Sequence, residues 1–282
     1  MGKPVVITAD STCDLPQALL THFNIRVIPL TILIGQESHL DGVDFLAEDI
    51  YDRYRADGTL PKTSAPSLQQ FLDFFTPLVN AGFEVVHLDI SSELSSSYNN
   101  ACIAAAELNG VHVVDSRTLS TGVGLLAIEG AECRDRGMGA AEIAAHLRAL
   151  TGKVDISFVL DTLEFMWKGG RCSGVAALGA NLLHLRPALE MRSGKLHVYK
   201  KYRGNMQSVY RQYVRERLAS AALNPGHVFV VDSGEVPEET LREVRNTVKE
   251  AVPDAVVHSA KAGCTVTAHC GPGALAVMFI QK

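Results

Sequence analysis

Short apolar runs alternate with amphipathic stretches along the first half of the chain. Strand-length runs fall at residues 4–9, 26–34, 85–90 and 111–115, and helical periodicity marks 16–22, 46–56, 67–80, 95–107 and 121–136 between them. Near-continuous apolar strands alternating with helices predict a parallel sheet covered on both faces. One more amphipathic helix, 141–150, runs into Gly152-Lys153, where the pattern changes. Beyond it, 155–160 reads as a strand and 175–183 as a short helix. The segments 187–192 and 197–202 flank Ser193-Gly194, a hairpin signal. Helices follow at 206–222 and 237–251, with strands at 227–232, 255–259, 265–269 and 274–280. The expected fold class is α/β in two domains: an N-terminal parallel-sheet Rossmann-like domain, residues 1–152, and a C-terminal mixed-sheet α/β domain, residues 153–282.

Composition narrows the function classes. The chain has 282 residues, enough for two domains at roughly 100–200 residues each. Its 47% hydrophobic content supplies two cores and leaves room for an apolar cavity. No apolar run approaches the ~18 residues of a membrane span. A formal net charge of −5 argues against general nucleic-acid binding. The start, Met1-Gly2-Lys3-Pro4, lacks the apolar segment of a signal peptide, and Val6 stands where myristoylation wants Ser or Thr. Cys13, Cys102, Cys133, Cys172, Cys264 and Cys270 form no C-x-x-C pair, and the histidines show no metal-ligand spacing. That pattern fits reduced thiols in a cytoplasmic protein without a metal site.

Candidate chemistry sits in the turns after strands, where open parallel sheets bind ligands. Ser91-Ser92-Glu93-Leu94-Ser95-Ser96-Ser97 follows the apolar run ending at Ile90. Hydroxyls and helix N-terminal N–H groups suit an oxyanion, although serine is equally a preferred helix cap. Asp10-Ser11-Thr12-Cys13-Asp14 could suggest an aspartyl nucleophile. That chemistry wants a second Asp where Thr12 stands, so capping before Pro16 is the stronger reading. In Lys62-Thr63-Ser64-Ala65-Pro66-Ser67, Ser64 suits a cap and Thr63 is freer to meet a ligand. Gly169-Gly170-Arg171 offers a tight loop and a planar fork of donors for an anion. Strand alternation places Thr265, Thr267 and His269 on one face, beside Gly271-Pro272-Gly273.

Several enzyme classes lack their motifs. There is no G-x-S-x-G elbow and no P-loop. Gly122-Val123-Gly124-Leu125-Leu126-Ala127 matches G-x-G-x-x-A but does not follow its strand directly, so close helix packing is the better use of these glycines. Adjacent strand residues face opposite ways, which weakens a Cys270–His269 nucleophile–base pair. The basic stretch Lys200, Lys201, Arg203, Arg211, Arg215 and Arg217 reads as a solvated face or a dock for an acidic partner. Hydroxyls, one His and one Arg at strand ends favour holding an anionic head group over chemistry performed by this chain alone.

Taken together the turns resemble the DegV family of bacterial fatty-acid-binding proteins, which includes the acyl-carrier subunit of fatty acid kinase. The resemblance spans essentially the whole chain, through the four turns above together with Val114-Asp115-Ser116, Lys201-Tyr202-Arg203-Gly204 and His269-Cys270-Gly271-Pro272-Gly273. It implies one long-chain fatty acid between the two domains, its tail in an apolar tunnel, and no cofactor. It also implies a separate ATP-dependent kinase that converts the presented carboxylate to an acyl phosphate. Carried over by position, Thr63 and Ser92 contact the carboxylate, with Ser95 close by and His269 as a further contact. Arg171 would orient the head group or the kinase, and Arg203 would dock the partner. The chain departs from the family's usual Ser-Gly-Thr in having Ser95-Ser96-Ser97. Phe158, Phe165, Met166, Leu178, Leu182, Leu189 and Phe279 suit either tunnel lining or core, core being the safer assignment. Transient membrane contact stays open. The rival readings are an autonomous phosphotransferase or hydrolase using Asp10 or His269, and a carrier of another apolar anion.

Overall fold

The computed structural model describes residues 3–172, 185–220 and 223–282; the helix expected at 175–183, with Leu178 and Leu182, lies outside them. The first half forms a four-stranded, all-parallel sheet. Its strands are β1 (Val5–Asp10), β2 (Ile25–Ile28), β6 (Glu84–Asp89) and β7 (Val111–Asp115), in the order β2-β1-β6-β7. The second half forms a mixed six-stranded sheet. It contains β8 (Val154–Val159), β9 (Leu185–Arg192), β10 (Lys195–Arg203), β11 (Leu223–Asp232), β12 (Val256–Lys261) and β13 (Leu275–Gln281), ordered β10-β9-β8-β13-β11-β12. Only the β11–β12 pair is parallel. The fold is therefore α/β with a parallel sheet followed by a mixed one, and the hairpin at Ser193-Gly194 closes with positive φ at both residues, as a two-residue turn requires.

A third, small antiparallel sheet departs from the expected organisation. The apolar run 26–34 breaks at Pro29, which has no N–H to continue a ladder. Leu30 then donates its N–H to Ser11 Oγ at 3.0 Å, and the chain enters β3 (Thr31–Ile34). This strand lies between β4 (Glu37–Leu40) and β5 (Lys62–Ser64). Ser64 is thus a strand residue rather than a cap. Ser67 caps the next helix, α3 (Leu68–Asn80), in a reciprocal box with Gln70.

Helix α5 (Thr121–Asp135) is buried nearly all round, between the two large sheets. Its apolar cluster joins Ile7 and Val86 of the first sheet to Ile156 and Phe229 of the second. The glycines of the G-x-G-x-x-A segment make this approach possible. A Cβ on Gly122 would meet Ile156 Cδ1 at 2.4 Å, and one on Gly124 would meet Leu15 Cδ2 at 2.6 Å and the Cys13 carbonyl at 2.8 Å. Gly124→Ala should therefore destabilise the protein by about 1–3 kcal/mol through overpacking. Urea denaturation checks this, and unchanged stability would contradict the packing.

Candidate functional site

The expected strand 265–269 is a helix, here α10 (Cys264–Cys270). Thr-Val-Thr favours strands locally, but partners distant in sequence override that preference. Asp41 accepts the Cys264 N–H at 2.9 Å and the Thr265 N–H at 3.2 Å, and Asp14 accepts the Gly263 N–H at 2.9 Å. These carboxylates complement the orphan donors and positive end of the helix. Gly271, with φ +70°, ends it. The helical period separates Thr267 from His269 and puts Thr265 and His269, four residues apart, on one face.

That face borders a cavity of about 210 Å³. Thr63 of β5, Ser95 and Ser96 of the serine-rich turn, Arg171 and His269 all line it. Thr63 Oγ1 and His269 Nε2 lie 3.0 Å apart. Ser95 Oγ accepts the Ser97 N–H at 3.2 Å, which leaves its own proton to donate. Arg171, after α7 (Glu164–Gly169), donates to Gly169 O at 2.8 Å and is otherwise exposed. Gly169 has its own reason to lack a side chain: a Cβ there would meet His269 Nδ1 at 2.2 Å. Phe158 and Met166 belong to both the core and the cavity wall, whereas Phe165, Leu189 and Phe279 are buried core. A smaller cavity of about 30 Å³ shares Leu119, Phe158, Val266 and Cys270 with the first and continues past Val231, Ala276 and Met278.

Ser92 is placed differently from the expectation. Its N–H and Oγ donate to the Asp115 carboxylate at 3.1 and 2.6 Å, and it does not line the cavity. The turn is anchored from below by strand-end acids. Asp10 accepts the Ile90 N–H at 3.0 Å, and Asp89 accepts from Ser97 Oγ at 2.7 Å. Hairpin β9–β10 clamps it from above. Ser91 Oγ donates to Gly194 O at 2.8 Å, Arg117 donates to Ser193 O, and Lys195 pairs with Glu93 at 3.2 Å. Arg203 lies exposed at the end of β10, and the cavity wall does not include it.

The site's electrostatics suit an anion held by neutral donors beside one cation, Arg171. Burial, then the Arg171 charge, pushes His269 down to about 4, so the ring is neutral at pH 7. Burial pushes the Cys270 thiol up to about 12, which removes it as a nucleophile beside His269. Asp10 is fully buried, accepts from Thr12 and Ile90, and is held well above the usual carboxylate range by burial and by Asp89. Among the described residues, Glu129, Cys133 and His146 are the group with metal-ligand spacing, and Arg136 already sits on Glu129 and Cys133. A larger cleft of about 690 Å³ lies at the other end of α10. It carries both signs of charge at Asp232, Glu238, Arg245 and Lys261, and its own Asp14 and Asp41 are engaged in capping. The cavity of about 210 Å³ is where the hydroxyls and the imidazole meet.

The family model described as "uncharacterised protein, DegV family" matches residues 4–282. The chain belongs to the DegV family. A DegV domain-containing protein of Deinococcus radiodurans is 31% identical over 277 residues, covering 97% of each chain. The solved structure of a fatty-acid-binding DegV family protein from Thermus thermophilus superposes with a TM-score of 0.90 at 27% identity, covering 99% of this chain and 100% of that one. A stearic acid-binding protein from Eubacterium ventriosum superposes at 0.83 with 26% identity, covering 100% and 99%. In this DegV-family chain, no helix among the described residues is long and apolar enough to cross a membrane.

The sign of the His269 shift gives a test. Between pH 6.5 and about 4 the unfolded chain takes up a proton that the folded ring refuses, so this residue lowers stability as pH falls through that window. An NMR titration should find His269 neutral at pH 6 with a midpoint near 4. Arg171→Ala should raise the midpoint without restoring 6.5, because burial is the larger cause. A wild-type midpoint above 6 would contradict the enclosure of the ring.

Proposed function

We propose that this DegV-family protein binds one long-chain fatty acid, without catalysis or a cofactor of its own. Its two domains meet at residues 152/153, and the acid lies between them. The carboxylate sits among Thr63, Ser95, Arg171 and His269. A separate ATP-dependent kinase, docking in part through Arg203, converts it to an acyl phosphate in the cytoplasm. The reading is carried by one observation: Thr63, Ser95, Arg171 and His269 line one cavity together with the apolar side chains of Leu94, Leu119, Phe158, Met166 and Val266. About ten methylenes enclosed there would contribute on the order of 8 kcal/mol before the costs of ordering, at ~0.8 kcal/mol each. Few polar contacts then suffice. The fatty-acid-binding descriptions of the Thermus and Eubacterium proteins support the same ligand class.

The rival phosphotransferase or hydrolase finds less support. Asp10 is buried with its oxygens engaged, and the hydrogen-bonding partner of His269 is the Thr63 hydroxyl rather than an orienting carboxylate. Such a ring is a poor general base, whereas a neutral donor or acceptor beside a hydroxyl serves well in holding a carboxylate.

Protein purified from a bacterial host should carry a fatty acid, identified by mass spectrometry of a solvent extract. A lipid phosphate in its place, or no lipid and no uptake of added hexadecanoate, would overturn the proposal. Thr63→Ala, Ser95→Ala and His269→Ala should each weaken hexadecanoate binding about tenfold, the effect of losing one hydrogen bond to a charged group. Ser92→Ala should leave affinity within about threefold, since its hydroxyl serves Asp115. Isothermal titration distinguishes the two groups of variants, and the reverse ranking would return Ser92 to the head-group site.

A further inference from the structure

Helix α5 ends at Gly137, which has a φ of +86°, and the chain turns back into α6 (Ala140–Leu150). Glu129 and Cys133, four residues apart, share a face of α5. His146 reaches the same face from α6. Three side chains converge on one oxygen, Glu129 Oε1: His146 Nε2 at 2.9 Å, Arg136 Nη2 at 3.2 Å and Cys133 Sγ at 3.5 Å. The ligand atoms of Glu129, Cys133 and His146 all lie within 4.8 Å of one another. No spacing rule in the sequence marks this group, because its third member comes from a second helix.

The separations suit a coordination tetrahedron. With bonds of about 2.0 Å to nitrogen and oxygen and about 2.3 Å to sulfur, a tetrahedral zinc site has edges of about 3.3 Å for N···O and about 3.5 Å for S···O. The S···O distance already has that length, and the N···O distance needs to open by only a few tenths of an ångström. A cation is also drawn to the point, since Arg136 Nη2 lies 3.0 Å from the Cys133 sulfur as well as on Glu129. Cys133 has no exposed surface, but the group lying on its sulfur is a side chain that is itself 57% exposed and has water to swing into. His146 is 41% exposed, which leaves the cluster beside solvent. One thiolate, one imidazole and one carboxylate make a borderline-soft set that suits Zn²⁺, whereas Mg²⁺ and Ca²⁺ take oxygen ligands.

We propose that Glu129, Cys133 and His146 form a site for a Zn²⁺-type divalent cation that staples α5 to α6, with a water molecule as fourth ligand. Arg136 holds the place in the absence of metal and swings out when the ion enters. Binding sends the Cys133 thiol proton to solvent and leaves the imidazole neutral, with its proton on Nδ1. The carboxylate and thiolate then balance the two charges of the ion. None of the three ligands lines the cavity of Thr63 and His269, so the site stands apart from the fatty-acid reading.

The test titrates the reduced, chelator-treated full-length protein with Zn²⁺ by calorimetry and with Co²⁺ by absorption spectroscopy. Wild type should bind one equivalent of Zn²⁺, unaffected by excess Mg²⁺. Co²⁺ should give the intense d–d bands of a tetrahedral site and a thiolate-to-cobalt charge-transfer band. Cys133→Ser should abolish the charge-transfer band, whereas Cys102→Ser, at a thiol outside the cluster, should keep it. His146→Ala should weaken Zn²⁺ binding by at least about tenfold, since losing even an outer-shell partner costs that much. Arg136→Ala should tighten it by up to about fivefold, because the exposed ion pair that competes with the metal is gone. No charge-transfer band in wild type, or one that persists in Cys133→Ser, would overturn the site. Weaker binding in Arg136→Ala, or unchanged binding in His146→Ala, would do the same, and both substitutions are at exposed side chains that decide the matter even if Cys133→Ser does not fold.

Discussion

Two buried carboxylates, Asp14 and Asp41, hold the N-terminus of α10 and thereby decide where the candidate site can be. Both come from the first half of the chain, more than 220 residues before the N–H groups they accept. Seven residues make a marginal helix on their own. Anchored this way, the helix packs against α7 and β5 and delivers His269 to Thr63 at its other end. A site assembled from β5, the serine-rich turn, the loop after α7 and α10 depends on that anchor, because its polar groups come from four separate segments of the chain.

The same economy of acids explains the serine-rich turn. Asp10, Asp89 and Asp115 end three neighbouring strands, and each must find donors in a region largely closed to water. They take the Ile90 N–H, the Ser97 hydroxyl, and the Ser92 N–H and hydroxyl. What remains for a ligand is Ser95, whose oxygen accepts from Ser97 while its proton stays free to donate, together with exposed Ser96. The turn is therefore a scaffold in most of its residues, and Ser95 and Ser96 are the ones it leaves on the cavity wall. Holding His269 neutral is consistent with this arrangement, since a charged ring would need its own buried counter-ion.

Much of the fold was legible in the sequence because burial on both faces of a parallel strand writes a continuous apolar run, and α5, β8 and the 193–194 hairpin carry equally plain signals. The glycine pair at 122 and 124 was readable as packing because its distance from β7 ruled out a dinucleotide turn. What stayed hidden depended on tertiary partners. Pro29 marks the break into the small sheet only once Ser11 is known to receive Leu30. The helix at 264–270 contradicts its own local propensity. Ser92 and Ser95 are indistinguishable in sequence until Asp115 claims one of them. Gly169 read as part of a tight loop presenting Arg171, whereas in the structure it also makes room for the His269 ring.

The most direct measurement is the carbon-13 NMR spectrum of hexadecanoate labelled at its carboxyl carbon, bound to the delipidated protein. A single bound resonance should saturate at one equivalent and remain that of an ionised carboxylate well below the titration range of the free acid. It should shift in Thr63→Ala and His269→Ala but not in Ser92→Ala. A resonance that never separates from that of free acid, or one that ignores Thr63 and His269, would contradict a carboxylate held at this cavity.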